Sequence, residues 1–296
     1  MRKNKEYSKQ TELPFARVSA TNSPPEPFLK WAGGKRQLLP ELISRIQKLS
    51  EGFNHYHEPF IGGGALFFEL WKRGALKKNT FLSDNNPNLI IAYEGLKHEV
   101  NQVIALLHEH KARHCKDYYY QIRAANPESR AARAARIIYL NRTCFNGLFR
   151  ENSKGEFNVP MGSYKNPQIC NTANLRAVAT ALRDADVKTR PFHSVSSHAE
   201  PGDLVYFDPP YHPLSDTAGF TAYQKDGFGE KEQRALADVF RELDARGVYV
   251  LLSNSWAPLV QELYADFTVE QVFAKRSVNS RGDKRGAVPE ALVRNF

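Results

Sequence analysis

The sequence predicts an α/β protein: a largely parallel sheet, interrupted by a helical insert that carries a hairpin. Three observations predict it. Apolar, β-rich runs alternate with helical patterns on both sides of the middle. The middle itself, from about Pro87 to Leu182, is mostly helical. Finally, 296 residues with 42% hydrophobic and 25% charged side chains have an ordinary globular balance, enough for one large domain or two of moderate size. That composition excludes disorder over most of the chain.

The elements follow in order. Residues 1–26 are polar and basic and end in Asn22-Ser23-Pro24-Pro25, so they read as a flexible tail. Tyr56–Phe60 is the first strand, a glycine turn leads into a helix over Ala65–Arg73, and Thr80–Ser83 is the second strand. Residues 87–189 are the expected insert, with helices at Glu99–Arg113, Tyr118–Ala125, Ser129–Leu140 and Thr172–Leu182. Within it lies an extended section, Phe145–Pro160, with Asn152-Ser153-Lys154-Gly155 as its turn. Strands return at Asp203–Phe207, Val248–Ser253, Phe267–Phe273 and Ala291–Phe296, with helices over Lys231–Arg246 and Pro258–Ala265. The main domain is therefore expected over 27–86 and 190–296.

Lys and Arg total 41 against 32 Asp and Glu, a formal charge of +9. A polyanionic partner fits that excess, but a solvated basic surface gives the same sum. No apolar run approaches the roughly 20 residues of a membrane span, and MRKNKEYSKQTELPF lacks the apolar stretch of a secretory signal, so the chain reads as intracellular and cytoplasmic. Cys115, Cys144 and Cys170 are far apart and odd in number, which fits neither a disulfide framework nor a zinc spacing, and no metal is expected.

The first chemical signal is Ile61-Gly62-Gly63-Gly64-Ala65 between a strand and a helix, a place where backbone can approach a ligand at a helix N-terminus. Asp84 follows at the end of the second strand, placed to accept hydrogen bonds from ribose hydroxyls. Gly62 and Gly64 fit the first two positions of the dinucleotide fingerprint, but the third falls on Phe67, which favours a nucleoside cofactor without a diphosphate. A plain tight turn is the alternative. Upstream, FLKWAGGK (28–35) carries Leu29 and Arg36 where a phosphate-binding loop needs Gly and Ser or Thr, so a nucleoside triphosphate is excluded. Trp31 in that stretch is either core or a stacking partner for an aromatic base.

The most informative signal is Asp208-Pro209-Pro210-Tyr211. Two prolines cannot continue a central strand, so the strand ends there and leaves Asp208 at its carboxyl edge, where α/β sheets place ligands. The chemistry suits an exocyclic amine on a nucleobase, a poor nucleophile because its lone pair is delocalised. A carboxylate and a carbonyl oxygen can accept its two hydrogens, draw the nitrogen towards a tetrahedral shape and free the lone pair. Pro209 lacks an N–H but keeps its carbonyl. Tyr211 offers a flat face for an extruded base. A strand-ending turn with an Asp cap is the alternative.

Five blocks in this order resemble the DNA adenine-N6 methyltransferases, and within them the Dam type of the D12 class in its alpha arrangement: FLKWAGGK, EPFIGGGALFFEL, LSDNNPNLI, YLNRTCFNGLFRENSKGEFNVPMGSYKNP and DLVYFDPPYHPLSDTAGFTAY. SNS (253–255) and the basic stretch from Lys275 are weaker echoes. The resemblance implies a Rossmann-like S-adenosylmethionine-dependent methyltransferase sheet with an inserted target-recognition domain. It implies that Trp31, Lys35, Phe60, Gly62, Gly64, Asp84 and Asp208 line the cofactor pocket, with Asp208 near the methionine moiety, and that the adenine is flipped from double-stranded DNA onto Tyr211.

In the Dam type, residues on the hairpin read GATC. Arg150 matches, suited to guanine O6 and N7, as do Asn146 for a base edge and Leu148 and Pro160 for a thymine methyl. Lys30 matches as a contact to the first guanine. Phe145 departs from the usual tyrosine; it can still wedge into the stack. A merely structural hairpin is the alternative. Arg130, Arg133 and Arg136 share one helical face that either meets phosphates or is solvated. Lys275, Arg276, Arg281, Lys284 and Arg285 suit a basic clamp beside the flipped base.

Other functions weigh less. Cytosine-C5 methylation needs a cysteine nucleophile, and none of the three has the Pro-Cys context. Cytosine-N4 methylation uses the same amine chemistry. RNA methylation calls for single-stranded stacking platforms. A binding-only regulator sits badly with intact Asp84, Asp208 and Tyr211. One subunit can serve a palindrome one strand at a time, so a monomer on DNA suffices.

Overall fold

The structure is a computed structural model that describes residues 24–31, 33–213, 228–275 and 287–296. Its strands are β1 (Tyr56–Glu58), β2 (Thr80–Asp84), β3 (Ala185–Thr189), β4 (Leu204–Phe207), β5 (Tyr249–Ser255), β6 (Thr268–Lys275) and β7 (Ala287–Arg294). Its α-helices are α1 (Leu39–Ile46), α2 (Ala65–Lys72), α3 (Pro87–Ala112), α4 (Lys116–Ala124), α5 (Arg130–Thr143), α6 (Thr172–Leu182), α7 (Glu230–Ala245) and α8 (Pro258–Leu263). No helix among the described residues is long and apolar enough to cross a membrane.

The strands form one sheet in the order β3-β2-β1-β4-β5-β7-β6. β1 to β5 run parallel, and β7 lies antiparallel between β5 and β6. The chain winds outward from β1 to β3 and then restarts on the other side of β1 with β4. That reversal opens a crevice at the carboxyl ends of β1 and β4. Both faces of the sheet are covered. Along β4, Leu204 and Tyr206 join the core on one face, while Val205 and Phe207 join the core on the other. Burial on both faces explains why this strand is a continuous apolar run.

Four departures from the expected elements have physical causes. Ala185–Thr189, assigned above to the insert, is the edge strand β3, paired in parallel with β2. Its Ala185 and Val187 are buried while Lys188 and Thr189 are exposed, a half-polar pattern usual for an edge. The helix expected from Glu99 begins at Pro87: the Asn86 side chain accepts from the N–H groups of Asn88 and Leu89 and caps it, and Pro87 takes the first turn. The backbone kinks at Glu99, where φ is −137°. Of the tail, 1–23 lies outside the described residues, but Pro25 is buried and Glu26 bonds both Asn174 and Arg36, so the chain is docked from residue 24 on. The hairpin has the turn expected at Asn152–Gly155, with Asn152 Oδ1 accepting from the N–H groups of Lys154 and Glu156. The backbone bridges between its arms are isolated, Cys144↔Met161 and Glu151↔Phe157, without a continuous ladder.

Candidate active site

The glycine turn and the two aspartates converge on the crevice. Gly62 and Gly64 have φ of 46° and 70°, in the left-handed region that favours glycine. A Cβ at Gly64 would lie 2.8 Å from the Tyr93 hydroxyl, which itself donates to the Gly62 carbonyl at 3.0 Å. Phe67, which stands at the third fingerprint position, is core. β2 delivers Asp84 beside the turn: Oδ2 accepts from the Gly62 N–H at 3.2 Å and Oδ1 from the Asn86 N–H at 3.0 Å. Each oxygen keeps a second lone pair for a ribose hydroxyl. Burial raises this carboxyl above the ordinary aspartate range, and the backbone donors oppose the rise.

Trp31 is half-buried. Its indole lies against Gly62, 3.0 Å from where a Cβ would sit, and its ring pairs with Phe149 of the hairpin at 5.3 Å. It therefore touches both the glycine turn and the insert. Phe60 stacks on Phe192 at 5.5 Å, with Phe228 edge-on at 5.6 Å.

β4 ends at Phe207 and presents Asp208. The Lys35 ammonium sits 2.9 Å from Asp208 Oδ1, and the Ser253 hydroxyl donates to the same oxygen at 2.9 Å. Burial raises the Asp208 carboxyl, while Lys35 and Ser253 pull it back towards the ionised form. The loop beyond is held from both sides. Gln233 Nε2 donates to the Pro210 carbonyl at 2.9 Å, and the His212 N–H donates to Asn254 Oδ1 at 3.1 Å. Pro209 is buried between these anchors. The Lys35 ammonium also lies 4.3 Å from the centroid of the Tyr211 ring, whose hydroxyl donates to Glu290 at 2.9 Å.

The six residues matched to DNA reading, Lys30, Phe145, Asn146, Leu148, Arg150 and Pro160, are all exposed. Phe145 and Leu148 are 50% and 46% exposed, a costly placement for apolar side chains unless a partner covers them. Asn146 has φ of 55°, the only positive value at a non-glycine among the described residues. Such strain gathers at functional sites. Buried Asn141 ties this tip to the upstream strap: its Oδ1 accepts from the Lys30 N–H at 2.7 Å, and its Nδ2 donates to the carbonyls of Lys30 and Gly147 at 2.8 and 3.0 Å. Arg150 Nε donates to Asn158 Oδ1 at 2.7 Å.

Two of the three arginines on the α5 face are engaged within the protein. Arg130 pairs with Glu99 at 2.6 Å, and Arg136 Nε donates to the carbonyl of Ile122 at the end of α4 at 2.9 Å. The side chain of Lys275 and residues Arg276, Arg281, Lys284 and Arg285 lie outside the described residues. Cys144 is fully buried and its thiol is pushed up to about 11, so it supplies no nucleophile.

Residues 31–278 match the model of the D12 class N6 adenine-specific DNA methyltransferases. The chain belongs to that family. This methyltransferase is 44% identical over 279 residues to the Type II methyltransferase M1.LlaDCHI of Lactococcus lactis subsp. cremoris, covering 91% of this chain and 95% of that one. It is 40% identical to the Type II methyltransferase M.MjaIII of Methanocaldococcus jannaschii, covering 92% and 99%. It is 35% identical to the DNA adenine methylase of Escherichia coli, covering 90% and 94%. The methyltransferase is thus an adenine-specific DNA enzyme whose methyl donor is S-adenosylmethionine. The site fits that donor: a turn too tight for a Cβ, a buried acid with lone pairs to spare, and no third glycine for a diphosphate.

Sequence reasoning missed four buried polar residues of this region: Glu58, Asn141, Asn254 and Glu290. Glu290 had a signal, since it is a charge among the apolar residues of its strand. Asn141 had none, because its partners lie 111 positions upstream and six downstream.

Proposed function

We propose that this methyltransferase modifies N6 of the adenine in 5′-GATC-3′, acting as a monomer on duplex DNA in the compartment that holds that DNA. The observation that carries the GATC reading is the exposed tip and its strap: Lys30, Asn146, Leu148, Arg150 and Pro160 match the Dam pattern, and Phe145, which departs from it, is an exposed apolar ring like the exposed Leu148 side chain. Another short palindrome, or a protein that only binds DNA, are the competing readings.

S-adenosylmethionine, when bound, supplies an electrophilic methyl group. The chain does the rest. Gly62 and Gly64 admit the cofactor to the α2 N-terminus, Asp84 accepts ribose hydroxyls, and Trp31 and Phe60 flank the pocket with apolar rings. Phe145 wedges into the stack as the adenine leaves it, and Tyr211 receives the base. The Asp208 carboxylate and the Pro209 carbonyl accept the two N6 hydrogens. The nitrogen turns tetrahedral, its lone pair would take the methyl as the S–CH3 bond breaks and the sulfonium leaves as a neutral thioether, and one proton leaves N6 through Asp208 to solvent. Lys35 keeps Asp208 ionised for this work and contributes to the cofactor pocket.

Unmethylated plasmid incubated with enzyme and S-adenosylmethionine, then mapped by single-molecule sequencing, tests the proposal. N6-methyladenine confined to GATC is expected. The same base at another motif keeps the chemistry and overturns the reading of the tip. No modified base favours the binding-only reading. Arg150→Ala should lose about 5- to 150-fold in discrimination at the guanine it reads, corresponding to about 1–3 kcal/mol, with non-specific binding little changed. Equal turnover on matched and mismatched oligonucleotides by the parent enzyme would sink that assignment.

Gly64→Ala should weaken S-adenosylmethionine binding at least about tenfold, because the added methyl meets the Tyr93 hydroxyl and the residue must hold a left-handed φ. The same change should cost about 1–3 kcal/mol of stability. Calorimetric titration and a thermal melt read the two effects separately. Unchanged affinity would mean that the turn does not face the cofactor.

A further inference from the structure

We propose that Glu290 is a positioning residue for methyl transfer: it fixes the Tyr211 ring in the plane on which the extruded adenine stacks. The proposal deepens, and rests on, the reading of Tyr211 as that platform.

Glu290 is the acid of the strand Ala-Val-Pro-Glu-Ala-Leu-Val and is only 8% exposed, next to fully buried Ala291, Leu292 and Val293. A carboxylate in such a place is costly unless it is bonded. Its partner is the Tyr211 hydroxyl at 2.9 Å. Burial and the neighbouring carboxylate of Asp208 keep that phenol protonated, so it is the donor. At the other end of the row, Lys35 bonds Asp208 and lies over the Tyr211 ring. The order is carboxylate, phenol, ammonium, carboxylate. Lys35 lies over one ring face, so the base is assigned to the other. A cation over a ring centres it without fixing its rotation; the hydroxyl bond to Glu290 fixes that too.

The sheet explains why this acid is in reach. β7 runs antiparallel to the other strands of the catalytic edge, so its early residues lie at their carboxyl ends. Glu290 is in register with Ser255, whose hydroxyl donates to the His212 carbonyl. One strand pair therefore holds both the loop and the ring that the loop carries.

A double-mutant cycle tests this, with methylation of a duplex oligonucleotide, fluorescence of 2-aminopurine at the target position, and melting temperature as readouts. Glu290→Ala and Tyr211→Phe should each lower kcat about 10-fold, as expected for a bond to a charged group, and weaken the 2-aminopurine signal. The double variant should be no worse than the poorer single one, because both remove the same bond. Glu290→Gln, which keeps an acceptor oxygen, should recover most of the loss. If Glu290→Ala does not fold, the bulkier apolar Glu290→Met takes its place in the cycle. Additive losses overturn the proposal. So does a fall in melting temperature with an undiminished 2-aminopurine signal. Tyr211→Ala separates the layers: if it methylates normally, the platform reading fails; if it is inactive while Glu290→Ala is fully active, only the role of Glu290 fails.

Discussion

Asp208→Ala lowers the rate of methyl transfer by roughly 10³- to 10⁴-fold while duplex affinity stays within about threefold. The expectation follows from what the carboxylate does. It accepts an N6 hydrogen as the nitrogen turns tetrahedral, an interaction stronger during the transfer than before it, so its loss falls on kcat. Asp208→Asn is the needed companion, because Ala leaves the buried Lys35 ammonium without its counter-ion and also costs stability. Asn keeps an acceptor oxygen and should retain part of the rate. The acid limb of the rate against pH carries a second signature. Burial raises the Asp208 carboxyl, and only the ionised form accepts, so activity falls as pH drops through a value above the ordinary aspartate range. Lys35→Met should move that limb to still higher pH. Single-turnover rates with saturating S-adenosylmethionine measure both. An Asp208→Ala enzyme that methylates at the parent rate would remove this residue from the mechanism.

Asp203→Asn should be the most destabilising single change away from the site. Asp203 is fully buried one residue before β4 begins, at the end of that strand opposite Asp208. Its carboxylate meets His57 Nε2 at 2.9 Å and His55 Nδ1 at 3.1 Å, and accepts from the N–H groups of His55 at 3.0 Å and Glu200 at 2.9 Å. Burial alone would raise its pKa; the His57 ring and the backbone N–H groups of Glu200 and His55 outweigh burial and hold it down at about 2. A depressed carboxyl contributes stability that is complete above its unfolded pKa and is lost as pH falls through the folded value. Here that contribution is on the order of 2 kcal/mol, present above about pH 4 and lost towards pH 2. Breaking a buried pair from one side costs more, about 3–5 kcal/mol, because Asn keeps only one acceptor oxygen and its NH2 faces an imidazole and a backbone N–H that have lost theirs. The melting temperature at neutral pH should drop by roughly 6–15 °C, with turnover per folded molecule unchanged. A variant melting within about 2 °C of the parent would show that the cluster is not a keystone.

The parts of the molecule legible in the sequence were those whose cause is local. The apolar run before Asp208 and the two prolines after it place that residue at a strand end without any tertiary knowledge. Gly62, Gly64 and Asp84 are similar: strand, tight turn, helix and acid are spaced by the fold's own geometry. Residues whose role depends on distant partners were not legible. Ala185–Thr189 is too polar to declare itself, and it is a strand only because β2 offers an open edge. Arg136 was read as either a phosphate contact or solvated, and it is neither, because helical spacing says which face a residue is on, not that the end of α4 lies against that face. Glu290 was passed over because the expected strand began one residue later, at Ala291, whereas β7 begins at Ala287. The start of α3 is a different failure, since Asn86 and Pro87 carry both the cap and the first-turn signal.

α3 bears on attempts to graft a new recognition module onto this enzyme. Cutting at 87 and 189 would carry off Tyr93, whose hydroxyl holds the Gly62 carbonyl, and the whole of β3. It would also separate the sheet from Gly95, where a Cβ would come within 2.3 Å of the Ala134 methyl and where α5 nests against α3. The first half of α3 is thus chassis and only the rest is cargo. Junctions that respect this lie after the Glu99 kink and before Ala185, and the donor module must bring a small residue at the position of Ala134. Transplants cut by linear domain boundaries should lose cofactor binding before they lose DNA binding, because the part they sever props up the glycine turn.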